Sequence, residues 1–166
     1  MSNEEKRGFC TVRVGHLTFG IEIAQVQEVL RPQHMTSVPL APDIVAGLIN
    51  LRGLIVAAVN LRRRLGLPAL HGQRPSMNVV VRGSDGPISL LVDEIGDVVE
   101  IGDEALEPPP ETLRGPARDV IRGVYKLERG LLLWLDLDRA LEHVATTTAI
   151  DPRAEVPARR EVATAS

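Results

Sequence analysis

The spacing of aliphatic residues repeats within this chain, and an internal repeat constrains a fold more than any single motif does. Ile21, Ile23, Val26 and Val29 are spaced by two, three and three, and Leu90, Val92, Ile95 and Val98 reproduce that spacing 69 positions later. A second pair of segments also matches. Gly47-Leu48-Ile49-Asn50-Leu51 leads to Gly53, an apolar run, then Val59-Asn60-Leu61 and Leu65. Gly123-Val124-Tyr125-Lys126-Leu127 leads to Gly130, an apolar run, then Leu135-Asp136-Leu137 and Leu141. Each copy reads as strand, bend, loop, strand, tight turn, strand and short helix. Chance likeness between aliphatic strands is the alternative. If the repeat is genuine, the fold consists of two similar small β-units. Neither half is large enough to bury a sizeable core alone, so the halves are expected to pack together. The groove between them is then the default binding place.

Local signals fill in this outline. Phe9–Val14 and Leu17–Ile23 flank Gly15-His16, and Met77–Arg82 and Ile88–Val92 flank Gly83-Ser84-Asp85-Gly86, so each pair predicts a hairpin. Leu54–Leu61 and Leu131–Leu137 are strand-length apolar runs opened by Gly53 and Gly130. Leu61–Leu67 predicts one or two helical turns stopped by Gly66 and Pro68. Asp136 or Asp138 is placed to cap a short helix through Leu141 and Val144. Residues 1–8 read as a short disordered lead, and 9–145 carry the periodic apolar signal. Residues 146–166 have too few large apolar groups to offset ordering entropy, so a flexible tail is expected there.

Composition excludes several functions. The formal charge of −3 gives no general attraction to nucleic acid or to an anionic membrane. Phe9, Phe19, Tyr125 and Trp134 are the only aromatics, too few for a base-stacking platform. Cys10 is the sole cysteine, which rules out an internal disulfide or a cysteine zinc site and fits a core residue in a reducing cytosol. Ile44–Leu61 is interrupted by Asn50, Arg52 and Asn60 and falls short of the roughly 20 apolar residues a membrane span needs. The chain has no phosphate loop, no GxGxxG, no HExxH and no GxSxG. His16, His34, His71 and His143 are far apart in polar or turn contexts and read as surface residues. No cofactor or metal site is read from the sequence.

Two charged runs have a plain reading. Asp93, Glu94, Asp97, Glu100, Asp103, Glu104 and Glu107 do not match calcium-loop spacing and read as a solvated face. Arg62-Arg63-Arg64 reads as the wet side of a short helix. Arg52 is different, because it interrupts the apolar stretch Leu48–Val56 beside Gly53. A charge there must emerge to solvent or find a partner. Glu28, in Val26-Gln27-Glu28-Val29, has a comparable amphipathic setting. Either the two meet as a surface ion pair or they are separate exposed charges.

Taken in order, these segments resemble the CheW family of chemotaxis coupling proteins. The resemblance is carried by Phe19-Gly20-Ile21-Glu22-Ile23 with Val26-Gln27-Glu28-Val29, and by Gly47-Leu48-Ile49-Asn50-Leu51-Arg52-Gly53-Leu54-Ile55-Val56 with Val59-Asn60-Leu61-Arg62. Leu91–Ile95 with Val98-Val99, and Leu131–Leu137, extend it over residues 9–144. Ala57 and Asn60 depart from the family, which often has Pro and Asp there. The resemblance implies a mainly β fold of two packed, SH3-like, five-stranded β-barrels with short helices. It implies a non-enzymatic adaptor that links the cytoplasmic tips of chemoreceptors to the regulatory domain of a CheA-type histidine kinase. Such a protein is cytoplasmic and is recruited to membrane-associated receptor arrays. It also implies that Glu28 and Arg52 form a charge pair, and that Val26, Glu28, Val29, Gly47, Leu48, Asn50, Arg52 and Gly53 bind partners. Two other readings stand beside it: a generic SH3-like peptide-binding module, and a small enzyme whose site assembles from distant residues.

Overall fold

The structure is a computed structural model that describes residues 6–68, 75–142 and 144. The expected tail at 146–166, His71 and His143 lie outside the described residues. Ten strands are present among those described: β1 (Lys6–Val14), β2 (Leu17–Glu22), β3 (Val26–Leu30), β4 (Val45–Leu51), β5 (Leu54–Asn60), β6 (Met77–Gly83), β7 (Gly86–Val92), β8 (Glu94–Gly102), β9 (Ile121–Leu127) and β10 (Gly130–Leu135). Three single-turn helices accompany them: α1 (Leu61–Arg64), α2 (Pro116–Asp119) and α3 (Leu137–Ala140).

The strands form two five-stranded sheets, β8-β1-β2-β10-β9 and β3-β6-β7-β5-β4. The two orders are the same once the repeats are superposed, with β1 matching β6, β2 matching β7, and so on to β5 and β10. The equivalence extends to detail. The parallel pair Gly20–Trp134 has its counterpart in Ser89–Ala58. Thr36 bridges Leu48 as Glu107 bridges Val124. A side chain at Gly47 would strike the Thr36 carbonyl oxygen at 2.7 Å, and one at Gly123 would strike that of Glu107 at 2.8 Å. The Asn60 Oδ1 accepts from the Arg63 amide at 3.2 Å and caps α1, while the Asp136 Oδ1 accepts from the Arg139 amide at 3.2 Å and caps α3. Asn60 therefore keeps the capping function an aspartate would have there.

The barrels do not coincide with the repeats. One sheet contains β3 to β7, a continuous stretch of chain, and is called barrel B. The other joins β1 and β2 to β8, β9 and β10 and is called barrel A. Each repeat lends two strands to a barrel completed by the other. The hydrophobic period marks which face of a strand is buried, but it does not name the neighbouring strand. That is why two repeats in the sequence do not correspond to two units in space.

Strand alternation sorts the apolar side chains into three clusters. Cys10, Val12, Phe19 and Ile21 of barrel A meet Val59, Val79, Leu90 and Val92 of barrel B in the principal cluster, which fills the space between the sheets. The opposite face of barrel A curls around Phe9, Tyr125, Leu132 and Trp134, closed over by Val99 and Ile101 from one edge strand and Leu127 from the other. The opposite face of barrel B surrounds Ile49, Val56, Ala58 and Leu91. Cys10 is buried in the principal cluster, and burial pushes its thiol pKa up.

Three expectations need correction. Lys6, Arg7 and Gly8 are not a disordered lead but extend β1 against Gly102, Ile101 and Glu100. Arg7 anchors them, donating to Asp103 at 3.1 Å and lying over the Trp134 ring at 4.8 Å. The last apolar run ends as a strand at Leu135, because the Asp136 cap starts α3. Arg62 is not on a wet face. Its side chain is 14% exposed and donates to Asp93 at 2.6 Å and to the Pro68 carbonyl at 2.9 Å. Asp93 also accepts from the Gly15 amide at 2.7 Å, so one carboxylate ties α1 to the β1–β2 turn across the two barrels.

Candidate functional site

The β4–β5 hairpin turns on two residues, Arg52 and Gly53, between the paired Leu51 and Leu54. Both have positive φ, 52° and 88°. That sign pattern belongs to the two-residue turn whose twist suits a hairpin, where Asn-Gly is the favoured sequence. Arg52 is thus a non-glycine residue in the left-handed region, a strain that structures keep mainly where the side chain is needed. Asn50 supports the turn, its Oδ1 accepting from the Gly53 amide at 2.8 Å.

Glu28 arrives from the far edge of the same sheet. Val26 pairs with Val81 and Glu28 with Val80, so Gln27 is an extra residue, a β-bulge. Directly paired residues share a face. The bulge therefore sends Val26 to the principal cluster and Glu28 to the opposite face, toward the β4–β5 turn. There Arg52 grips Glu28 through both terminal guanidinium nitrogens, Nη1 donating at 2.8 Å. Hydrogen bonding from Arg52, together with its charge, holds the Glu28 carboxyl below its usual range, and the same bond raises the Arg52 pKa. Since β3 and β4 are the two edges of barrel B, this ion pair closes the barrel. Arg52 is 72% exposed, so the pair adds little to global stability. Its effect is to hold a shape and to present a charge.

The sequence-derived residues fall into two groups. Glu28, Asn50, Arg52 and Gly53 come together at the hairpin end, with Val29 44% exposed nearby on β3. Val26, partly buried, packs on the principal cluster, and Gly47 is buried beneath Thr36; Leu48 is half-buried and bridged to Thr36. The second group shapes the surface from behind. Leu54, 51% exposed immediately after the turn, was not singled out from sequence. Its signal was available, since an apolar residue flanking a two-residue turn begins a strand at the rim, where cover is thinnest.

The acidic stretch is largely the solvated face expected, with Glu94, Asp97, Glu100, Asp103 and Glu104 exposed and Asp93 and Glu107 partly buried. Glu94 pairs with Arg13, Asp103 with Arg7, and Glu107 with Lys126. His16 and His34 are exposed, as expected. Among the described residues no group of three or more His, Cys, Asp or Glu is placed to hold a metal. No described helix is long and apolar enough to cross a membrane.

Fold and site together define a duplicated two-barrel β-protein whose distinctive surface feature is a strained, charged hairpin clasped to the opposite strand edge. Comparison with known proteins agrees. The model of the CheW-like domain matches residues 8–145, and the chain belongs to that family. It is 30% identical to the chemotaxis protein CheW of Rhizobium meliloti (strain 1021), over 80% of this chain and 85% of that one. It is 28% identical to the chemotaxis protein CheW of Treponema pallidum (strain Nichols), over 82% and 83%. The crystal structure of the scaffolding protein TtCheW from Thermoanaerobacter tengcongensis superposes with a TM-score of 0.71 at 24% identity, over 79% of this chain and 89% of that one, which speaks to the fold.

Proposed function

We propose that this protein is a non-enzymatic scaffold that couples chemoreceptors to a CheA-type histidine kinase, in chemotaxis or a related chemosensory pathway. The observation that carries this reading is the family match across residues 8–145, in which the Gly47–Gly53 segment folds into the hairpin that presents Arg52 to Glu28. On this reading the protein works in the cytoplasm at receptor arrays and acts through two protein surfaces. The helical tip of a receptor is taken along an apolar shoulder. Val29 and Leu54 supply exposed aliphatic contacts, while Glu28 and Arg52 set partner choice by charge. Small shifts at these surfaces are enough to bias the kinase between states.

The test is Arg52→Glu, assayed for binding to the kinase regulatory domain and, separately, to a receptor-tip fragment. Affinity for at least one partner is expected to fall tenfold or more. The melting temperature is expected to move by no more than about 2 °C, because the pair is exposed. A collapse of the fold would make Arg52 a structural residue. If the folded parent binds neither partner, the proposal is wrong.

A further inference from the structure

The chain passes between the barrels twice. It leaves β2 of barrel A and enters barrel B through the short turn Ile23–Gln25, and it returns from β7 to β8 through Asp93 alone. The repeat sets Ile23 against Val92, and hence Ala24 against Asp93. The two crossings are equivalent in place and unlike in construction.

Asp93 is held from both sides. Its amide donates to the Arg13 carbonyl of barrel A at 2.9 Å, and its Oδ2 accepts from the Gly15 amide at 2.7 Å. From barrel B, Nη2 of Arg62 on α1 donates to the same Oδ2, while Nη1 donates to the Pro68 carbonyl. A planar guanidinium shared between two acceptors fixes direction as well as distance. Arg64, also on α1, reaches barrel A at a second place. Its Nε donates to the Ala140 carbonyl at 3.0 Å and its Nη2 to the Arg139 carbonyl at 2.9 Å. These carbonyls stand at the end of α3, where a helix leaves its acceptors unpaired. One turn of helix thus grips barrel A with two arginines.

The equivalent crossing has no such grip. Ala24 carries no polar side-chain atom. The repeat sets Asn60 against Asp136, so α3 has Asp138 and Ala140 where α1 has Arg62 and Arg64. The turn Ile23–Gln25 contains no buried residue and no side-chain hydrogen bond at its cap, and Ile23 is 41% exposed. The principal aliphatic cluster holds the barrels close, but apolar burial has no direction of its own, and packed elements slide by small shear movements. Hydrogen bonds do have direction, since they weaken steeply when bent.

We propose that α1 is a clamp that fixes the angle between the two barrels through Arg62 and Arg64, and that the barrels give at the unclamped crossing, Ile23–Gln25. Because β3 begins directly after that crossing, the clamp also sets where the edge bearing Glu28 and Val29 stands relative to barrel A. The proposal concerns the molecule alone and does not depend on the coupling role.

Residual dipolar couplings of the backbone amides, measured on the full chain and fitted to each barrel separately, test it. In the parent one alignment is expected to fit both barrels. Arg62→Met with Asp93→Asn removes both charges together, so neither is left unpaired, and it keeps an acceptor for the Gly15 amide; Arg64→Met added to these releases the second arm. In this triple variant each barrel is expected to fit by itself while no single alignment fits both. Amides of residues 23–26 are expected to exchange about tenfold faster or more, with the strand interiors of both barrels still protected. Arg63→Met is the control, because Arg63 pairs with Asp43 inside barrel B, and it is expected to match the parent. If the triple variant does not fold, Arg64→Met alone carries the test and is expected to show the same loss of a common alignment to a smaller degree. A single alignment that persists in the folded clamp variant, protection lost evenly across both barrels, or a control that behaves as the clamp variant does would each overturn the proposal.

Discussion

At the interior positions that the repeat makes equivalent, barrel A holds Phe9, Gly20, Tyr125, Leu132 and Trp134, and barrel B holds Asn78, Ser89, Ile49, Val56 and Ala58. Three interlocked aromatic rings fill the first, with centroids 5.5–6.2 Å apart and Gly20 leaving room for Phe9. The second is small and largely aliphatic, with Asn78 accepting from the Ser89 hydroxyl at 2.8 Å and donating from Nδ2 to the Arg31 carbonyl at 3.3 Å. The barrels also close differently. Apolar residues from both edge strands seal barrel A, whereas an exposed ion pair clasps barrel B. The duplication has preserved the backbone devices, namely the bulge, the bridge, the parallel register and the cap. The interiors have diverged into a heavily packed barrel and a lightly packed one, and the candidate docking residues lie on the light one.

The largest expected effect tests whether barrel A carries the packing. Trp134→Ala should cost about 3–5 kcal/mol in urea unfolding, because Trp134 is 5% exposed and lies between Phe9, Tyr125 and the Arg7 and Arg122 guanidiniums. A loss under about 1 kcal/mol would break the contrast. A middle-sized effect belongs to barrel B. Ser89→Ala leaves the buried Asn78 carbonyl oxygen without its donor and should cost about 1–2 kcal/mol, with Ser89→Thr, which keeps a hydroxyl, tested beside it. The smallest concerns the clasp. Glu28 titrates below its ordinary value when folded, so its pairing stabilises the protein above the usual carboxylate range. That contribution fades as pH falls through the lowered value. The melting temperature of the parent should sit slightly above that of Glu28→Gln at neutral pH, and the two should converge in acid. A gap that widens with acid would reverse the assignment.

Much of the architecture was legible because it depends on local chemistry. Gly15-His16 makes the first hairpin turn, Asn60 and Asp136 cap their helices, and alternating Val, Leu and Ile mark buried faces. Glu28 and Arg52 were legible as charges that needed an explanation, although only the bulge at Gln27 accounts for how they meet. What escaped depends on distant partners. Arg62 looks solvated within Arg62-Arg63-Arg64 until Asp93, 31 positions away, meets it. Lys6–Gly8 look disordered until β8 offers an edge to pair with. The interlacing of the repeats escaped for the same reason, since a strand's own sequence does not say which strand will lie beside it.

That interlacing sets an order of events on the ribosome. The strands of barrel B all lie between Val26 and Val92, whereas the β1–β2 hairpin, made before them, finds its neighbouring strands only in β8 and β10, made after them. Domains tend to form as their chain emerges. Barrel B can therefore close while synthesis continues, and the aromatic barrel must wait for residues near 135. During that interval the aliphatic faces of β1 and β2 are without their partners, which makes this earlier-made hairpin the part in greatest need of shelter.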